Sequence, residues 1–508
     1  MRMSVLQADE GGRLSGAAEE PIEVGPPEVG DLPPEEFRRW GHEAVDWIAR
    51  YLQEVESYPV LARVRPGELR AALPPHAPPR SESFEEIFRD FQELVIPAIT
   101  HWNHPSFHGY FAVTGSAPGI LGELLTAALN VNAMVWRSSP AGTELEEHVL
   151  SWLRELVGLP EGFRGVLQDT ASSSSLTALA GARHRAYPEV RQEGLFGLPR
   201  GRIYASEEAH SSIDKAGILL GFGHQGVARI PADREFRIRL PELREAILRD
   251  LQAGVRPVAL VATVGTTSTA SADPVEAMAD LAAEFGLWLH VDSAYAGASA
   301  IVPEQRVHFQ GWERADSIVF NPHKWLFTPV DCSALYMRDP EAVRGALALT
   351  PEYLQTREGA VATNLMDYGV VLGRRFRALK LWFVLRSFGA QGVRDRIRYH
   401  IALARTFGGW VDGEPEWLRL APIHFSTISF RCAPAHLTGP EQDALNLEIM
   451  EQVNGTGEVF LSHTRLHGRI ALRLSIGNLR TEERHLARSW ELLRSHAAAL
   501  VAPVPTGR

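Results

Sequence analysis

Residues 258–264 read Val-Ala-Leu-Val-Ala-Thr-Val, an unbroken run with no charge inside it. A strand of that kind is buried on both faces, as in a parallel sheet. The period then changes. From Pro274 to Phe285 the apolar positions recur at helical spacing, with Asp273 expected as the N-cap and Pro274 at the first helical position. A second apolar run, Leu287-Trp288-Leu289, leads into His290-Val291-Asp292, and a third, Ser317-Ile318-Val319-Phe320, leads into Asn321-Pro322-His323-Lys324-Trp325. Strand, helix, strand in this order builds a parallel sheet through a crossover. Asp292 and Lys324 are thereby expected at the carboxyl edge of the sheet, where open α/β folds bind ligands.

Elsewhere the pattern is simpler. Residues 1–30 are rich in Gly, Glu and Pro with little periodicity, and read as a disordered leader. Pro33-Pro34 opens a helix in which Trp40, Ala44, Trp47, Ile48 and Tyr51 share one face, and a second helix is expected from Phe84 to Ile96 after a Pro-rich connection. Helices are also expected from Leu176 to His184, from Ser211 to Leu220, from Val393 to Phe407 and from Glu482 to His496. Strands are expected at Val227–Ile230, Ala334–Met337, Ser426–Cys432 and Ile470–Ser475.

Composition narrows the functional classes. The chain has 508 residues, 45% of them hydrophobic, enough for two or three domains. A net charge of −11 argues against general nucleic-acid binding. Cys332 and Cys432, the only two cysteines, make neither a disulfide framework nor a cysteine metal site, and fit a reducing cytoplasm. No apolar run approaches the roughly 20 residues of a membrane span, and the N-terminus lacks the order of a signal peptide. The histidines of His101-Trp102-Asn103-His104-Pro105-Ser106-Phe107-His108 have neither the spacing nor the carboxylate company of a zinc site, so no metal is expected. Gly221-Phe222-Gly223-His224-Gln225-Gly226 fits a dinucleotide fingerprint in the wrong context, because it closes a helical pattern instead of opening one.

The remaining chemistry centres on Lys324. A lone lysine at a strand end is most often a snorkelling side chain. Buried, its amine is desolvated and becomes a nucleophile toward an aldehyde. An acid brought to the same sheet edge changes the balance toward pyridoxal 5′-phosphate: the lysine holds the aldehyde, and Asp292 pairs with the protonated pyridine nitrogen. Small Ala294 lets a ring lie flat against the backbone.

His290-Val291-Asp292-Ser293-Ala294-Tyr295-Ala296-Gly297 followed by Asn321-Pro322-His323-Lys324-Trp325 resembles the group II pyridoxal-phosphate-dependent amino acid decarboxylases, nearest the aromatic-L-amino-acid branch. The resemblance covers nearly the whole chain after about residue 30. It implies a fold of the aspartate aminotransferase-like type I, with a mostly parallel seven-stranded sheet. It also implies an N-terminal dimerisation arm (31–116), a large cofactor domain (117–390) and a small C-terminal α+β domain (391–508). On matching positions, Thr170, Ala171 and Ser172 would bind the cofactor phosphate at a helix N-terminus, with Ser173 standing where the family often has Glu. His210 would stack on the pyridine face, Thr267 and Asn321 would lie near the cofactor, and Gly373 would reach the other subunit's phosphate. Trp102, Phe111, Val113 and Met134 would line the substrate pocket, with Trp102 carried across a homodimer interface; aromatic core packing is the plainer reading of that stretch. Val113 stands where animal members carry Thr, and Met134 near a position where they carry Phe. Tyr353, on a lid-like loop, or else His323, would return a proton to the substrate carbon. Arg480 matches a family arginine close to the site. The implied reaction converts an aromatic L-amino acid to its amine and carbon dioxide. An oxygen-dependent aldehyde synthase and a silent cofactor-binding scaffold are the alternatives.

Overall fold

The computed structural model describes residues 31–349 and 362–501. The leader 1–30 and Tyr353 with its loop therefore lie outside the described residues. The main sheet has seven strands: β1 (Arg164–Gln168), β2 (Gly201–Ser206), β3 (Val227–Ile230), β4 (Arg256–Thr263), β5 (Trp288–Asp292), β6 (Ser317–Phe320) and β7 (Ser333–Met337). Their order is β1-β7-β6-β5-β4-β2-β3, with β7 antiparallel to both of its neighbours and every other pair parallel. β5 and β6 are buried along their whole length, as their continuous apolar runs require.

Helices cover both faces. The helix Val275–Phe285 makes the crossover between β4 and β5. Its N-cap position is Pro274, one residue later than the sequence suggests. Asp273 is drawn inward instead, where its carboxylate accepts the N–H groups of Ile238 at 2.7 Å and Thr263 at 2.8 Å. Residues 372–380, which carry Arg374, Arg375, Arg377 and Lys380, become helical at Arg377, because Arg374 turns inward. The Arg374 guanidinium donates at 2.8 Å to the Glu146 carboxylate, and that carboxylate also accepts the N–H of Leu167 at 2.8 Å. The helix from Arg377 runs to Asp412 with a break at Gly389, where φ is +64°.

A second sheet, in the order β10-β11-β9-β8, is antiparallel throughout: β8 (Trp417–Arg419), β9 (Thr427–Cys432), β10 (Ser462–Leu466) and β11 (Arg469–Ser475). Helices Gly439–Gly455 and Glu483–Val501 close its core around Phe407, Phe430 and Leu493. The chain at 106–108 is stitched to this part through His108 N–H to Phe460 O at 2.9 Å and Ser475 N–H to His108 O at 2.9 Å. That pairing accounts for the histidine-rich stretch. His101 bonds to the Tyr51 hydroxyl at 2.9 Å, His104 Nδ1 accepts the N–H of Ser106 at 3.0 Å, and His108 is fully enclosed.

At the N-terminus the helices Pro34–Glu54 and Phe84–Asp90 pack through rings, with Trp40 5.0 Å from Phe84 and Trp47 5.0 Å from Phe91. Neither helix buries a single residue fully within this chain.

Candidate active site

The carboxyl ends of five parallel strands face one cavity. β5 ends on Asp292, which is 4% exposed and accepts the N–H of Ala294 at 3.1 Å. Ala294 O in turn accepts the N–H of Asn321 at 3.0 Å, so the ends of β5 and β6 are tied together. A single helical turn, Pro322–Trp325, then presents Lys324. Behind them His290 lies between Ser317 Oγ at 2.9 Å and Ser175 Oγ at 3.0 Å, which pins β5 to β6 and to the helix after β1. That helix, Ala171–Ala186, is capped by Thr170. The peptide N–H groups of its first turn have no partner within the helix.

The cavity so formed has a volume of about 200 Å³. Thr170, Ala171 and Ser172 line it after β1, His210 and Ser212 after β2, and Thr263, Gly265 and Thr267 at and after the end of β4. Asp292, Ala294 and Tyr295 line it from β5, and Asn321, His323 and Lys324 from β6, with Phe111 at one side. A second cavity of about 370 Å³ shares Phe111, His210, Thr267 and Lys324. It adds Trp102, Tyr110 and Val113 from the N-terminal part, and Ser462, His463, Thr464 and Arg473 from the small sheet.

Burial is the largest influence on Lys324 and lowers its amine to about 8; Asp292 opposes the shift and Arg473 adds to it. Arg473 is itself pushed down to about 10 by burial. Its guanidinium carbon lies 4.4 Å from the centre of the Phe111 ring, and Lys324 Nζ lies 5.0 Å from the same ring. Phe111 heads a column of rings: 3.9 Å to Tyr295, 4.8 Å from Tyr295 to Trp325, and 6.4 Å from Trp325 to His400. The indole N–H of Trp325 donates to His400 Nδ1 at 3.0 Å, and the Tyr295 hydroxyl bonds to Ser426 beside β9. The column thus links the cavity floor to the small sheet.

The donor set fits pyridoxal 5′-phosphate. Two buried polar atoms lining the smaller cavity, Asn321 Oδ1 and Thr263 Oγ1, have no protein partner. A buried polar atom left unsatisfied is costly, so this lining is complementary to a polar guest. An amine, a carboxylate and an open helix N-terminus on three sides match the aldehyde, ring nitrogen and phosphate of that one molecule.

Not every expected residue reaches the cavities. Trp102 lies beside Lys324 of its own chain, which corrects the expectation that it crosses to a second subunit: the 106–108 pairing with the small sheet holds this stretch on its own body. Met134 does not line either cavity; it packs beside Val135 and Met366, and its sulfur lies 3.6 Å from Asn132 Nδ2. Gly373 lies next to Asn132 on that same edge and does not line this chain's cavity. Arg480 is partly buried near Tyr51 and lines neither cavity. The sequence pattern does not reveal Arg473, Tyr295 or the 462–464 strand as parts of the site. Arg473 in the apolar strand Ile470–Ser475 is the one visible signal, a charge where the pattern calls for none.

Residues 66–433 match the family model for the pyridoxal-dependent decarboxylase conserved domain. Tyrosine decarboxylase 4 of Petroselinum crispum is 40% identical over 484 residues, covering 92% of this chain and 95% of that protein. A phenylacetaldehyde synthase of a Rosa hybrid cultivar is 38% identical over 488 residues, covering 93% and 96%. The crystal structure of Oryza sativa TDC with PLP and tryptamine superposes with a TM-score of 0.91 at 38% identity, covering 93% of this chain and 100% of that one. The chain belongs to the pyridoxal-dependent decarboxylase family, as a group II enzyme of the aromatic-amino-acid decarboxylase kind with the type I fold and pyridoxal 5′-phosphate as its cofactor.

Proposed function

We propose that the enzyme removes the α-carboxyl group of a free aromatic L-amino acid as carbon dioxide and releases the amine. The observation that carries the substrate class is the 370 Å³ cavity next to Lys324, walled by Trp102, Tyr110 and Phe111, which suits a flat side chain. Val113 offers no hydrogen bond to a ring hydroxyl at its position, so tryptophan and phenylalanine are candidates beside tyrosine and dopa.

Bound pyridoxal 5′-phosphate supplies the electron sink. Lys324 would hold its aldehyde, Asp292 its ring nitrogen, and Thr170, Ala171 and Ser172 its phosphate, with Asn321, Thr267 and Ala294 around the ring. Asp292, enclosed and held by the Ala294 N–H, would favour the protonated nitrogen without reorganising during reaction. The walls exclude water and hold the substrate's carboxylate bond in one orientation. The proton that replaces the carboxyl group comes either from the Tyr353 hydroxyl, as the resemblance implies, or from a cavity imidazole.

We further propose a homodimer in a reducing cytoplasm. Leu121, Leu124, Leu125 and Leu129 are 45–58% exposed on the helix Ala117–Leu129, and Val370, Val371 and Leu372 are likewise exposed. So much exposed apolar surface, with N-terminal helices that bury nothing fully in their own chain, suits a second copy. Gly373 and Met134 sit on or beside this surface and would reach the partner's cavity. No helix among the described residues is long and apolar enough to cross a membrane. Both cysteines are free and buried.

The test is a panel of aromatic amino acids, with carbon dioxide, amine, aldehyde and peroxide measured under air and under nitrogen. Amine equal to carbon dioxide supports the reading; aldehyde and peroxide as main products favour the synthase relatives instead. Tyr353→Phe should bind substrate normally, form amine more slowly and divert part of the flux to aldehyde. An unchanged amine rate with no peroxide would exclude the Tyr353 hydroxyl as the donor.

A further inference from the structure

Two imidazoles line the Lys324 cavity, and each has its Nδ1 engaged by the protein. His323 Nδ1 accepts the peptide N–H of Cys332 at 2.9 Å. His210 Nδ1 accepts the peptide N–H of Ser212 at 3.1 Å and also lies 2.9 Å from the Ser212 hydroxyl. A neutral imidazole has one ring proton, and a nitrogen accepting a peptide N–H cannot carry it. Both rings are therefore neutral with the proton on Nε2.

The two rings differ in how they can accommodate a second proton, which must go onto Nδ1. At His323 it would meet only the Cys332 N–H, a donor facing a donor. At His210 it would also face the Ser212 N–H, but there the Ser212 hydroxyl can rotate and accept it, because a hydroxyl is both donor and acceptor. Ser212 is 4% exposed and lines the same cavity, so water does not readily replace it.

We propose that Ser212 is a positioning residue that keeps His210 protonatable, so that His210 and not His323 is the imidazole that can carry a proton at this site. The inference rests on the decarboxylase reading above. In the step itself, the Nε2–H bond of the His210 imidazolium breaks. The proton joins the electron pair left on the substrate carbon as carbon dioxide departs, and a C–H bond forms. His210 is left neutral, with its remaining proton on Nδ1 donated to Ser212 Oγ, and one proton taken up from solution at Nε2 restores the cation.

The surroundings agree. Burial lowers both histidines, His323 to about 4. The charges facing His210 are Asp292 from the end of β5, which favours its cation, and Lys324 after β6, Lys215 on the helix just beyond it and Arg229 on β3, which oppose it.

The experiment is a titration of histidine-labelled full-length protein by NMR, with and without pyridoxal 5′-phosphate, with His210 and His323 assigned through single substitutions. Ser212→Ala removes the acceptor of the charged ring, so the His210 midpoint should fall by about one pH unit, the worth of one charge-assisted hydrogen bond. Ser212→Thr, which keeps the hydroxyl, should restore it, and His323 should stay neutral in every variant through pH 5. In the holoenzyme the alkaline limb of kcat should move down by the same interval in Ser212→Ala with KM unchanged. An unchanged or raised His210 midpoint in Ser212→Ala, or a His323 that titrates above His210, overturns the proposal. Since the midpoints are read without turnover, that outcome is separate from a failure to decarboxylate. If Ser212→Ala does not fold, Ser212→Cys, whose thiol is a weak acceptor, takes its place and should give a smaller fall in the same direction.

Discussion

Lys324 is held between a carboxylate that favours its cation and a guanidinium that opposes it. Only the free amine attacks an aldehyde, so cofactor uptake by the cofactor-free protein should rise with pH through a midpoint at about 8. Arg473→Met removes the opposing cation and should move that midpoint upward, slowing uptake at neutral pH, whereas Arg473→Lys should not. Stopped-flow absorbance of the bound cofactor across pH checks this; an unmoved midpoint in the methionine variant would separate Arg473 from the amine. Asp292→Ala should still take up cofactor, since the amine and the phosphate cradle remain. Its turnover should fall at least a hundredfold, in keeping with roughly 3 kcal/mol for a preorganised charged contact. Near-normal kcat in that variant would contradict an electrostatic role for Asp292.

At the scale of elements, the central strands are legible directly because a doubly buried strand leaves no room for polar alternation, as in 258–264 and 317–320. β10 is not. Its sequence, Ser-His-Thr-Arg-Leu, buries only the last residue fully, and an edge strand of that kind has no pattern to distinguish it from a loop. β8 has three residues, too few for a period to show. Asp273 defeats a local reading because an acid before a proline looks like a cap, while the pull of two buried peptide N–H groups, those of Ile238 and of Thr263 at the end of β4, is invisible in the local sequence. Lys324, Asp292 and His210 reach the cavity at positions that spacing and resemblance point to; Arg473 and Ser212 join its lining through contacts made only once the sheet is formed. The same holds for Glu146. Its side chain is 1% exposed and satisfies both Arg374 and the Leu167 N–H at the end of β1. Glu146→Ala leaves a buried guanidinium unpaired, and should destabilise the fold by roughly 3–5 kcal/mol. Thermal unfolding checks this, with Glu146→Gln expected to lose less.

Over the whole molecule, neutrality of buried histidines sets the acid limit. Burial pushes His104, His290, His323 and His400 to about 4 and His108 to about 3, from an ordinary 6.5. Between those values the unfolded chain binds protons that the folded one refuses, so stability falls as pH drops from about 6.5 toward 4. Asp273, raised by burial to about 7, works the other way by one proton. Unfolding near pH 5 should therefore take up about four protons, seen as a steep fall of the denaturation midpoint between pH 6.5 and 4.5. A flat profile there would contradict the neutral assignment. The ring column has a different kind of consequence. Phe111, Tyr295, Trp325 and His400 come from four distant stretches of chain yet share one stack, so none can shrink without opening a gap beneath the next. Over generations these positions must drift together or stand still. Exchanging all four as a block with those of a relative should leave a working enzyme where single exchanges fail, making the column one unit of inheritance spread over nearly three hundred residues.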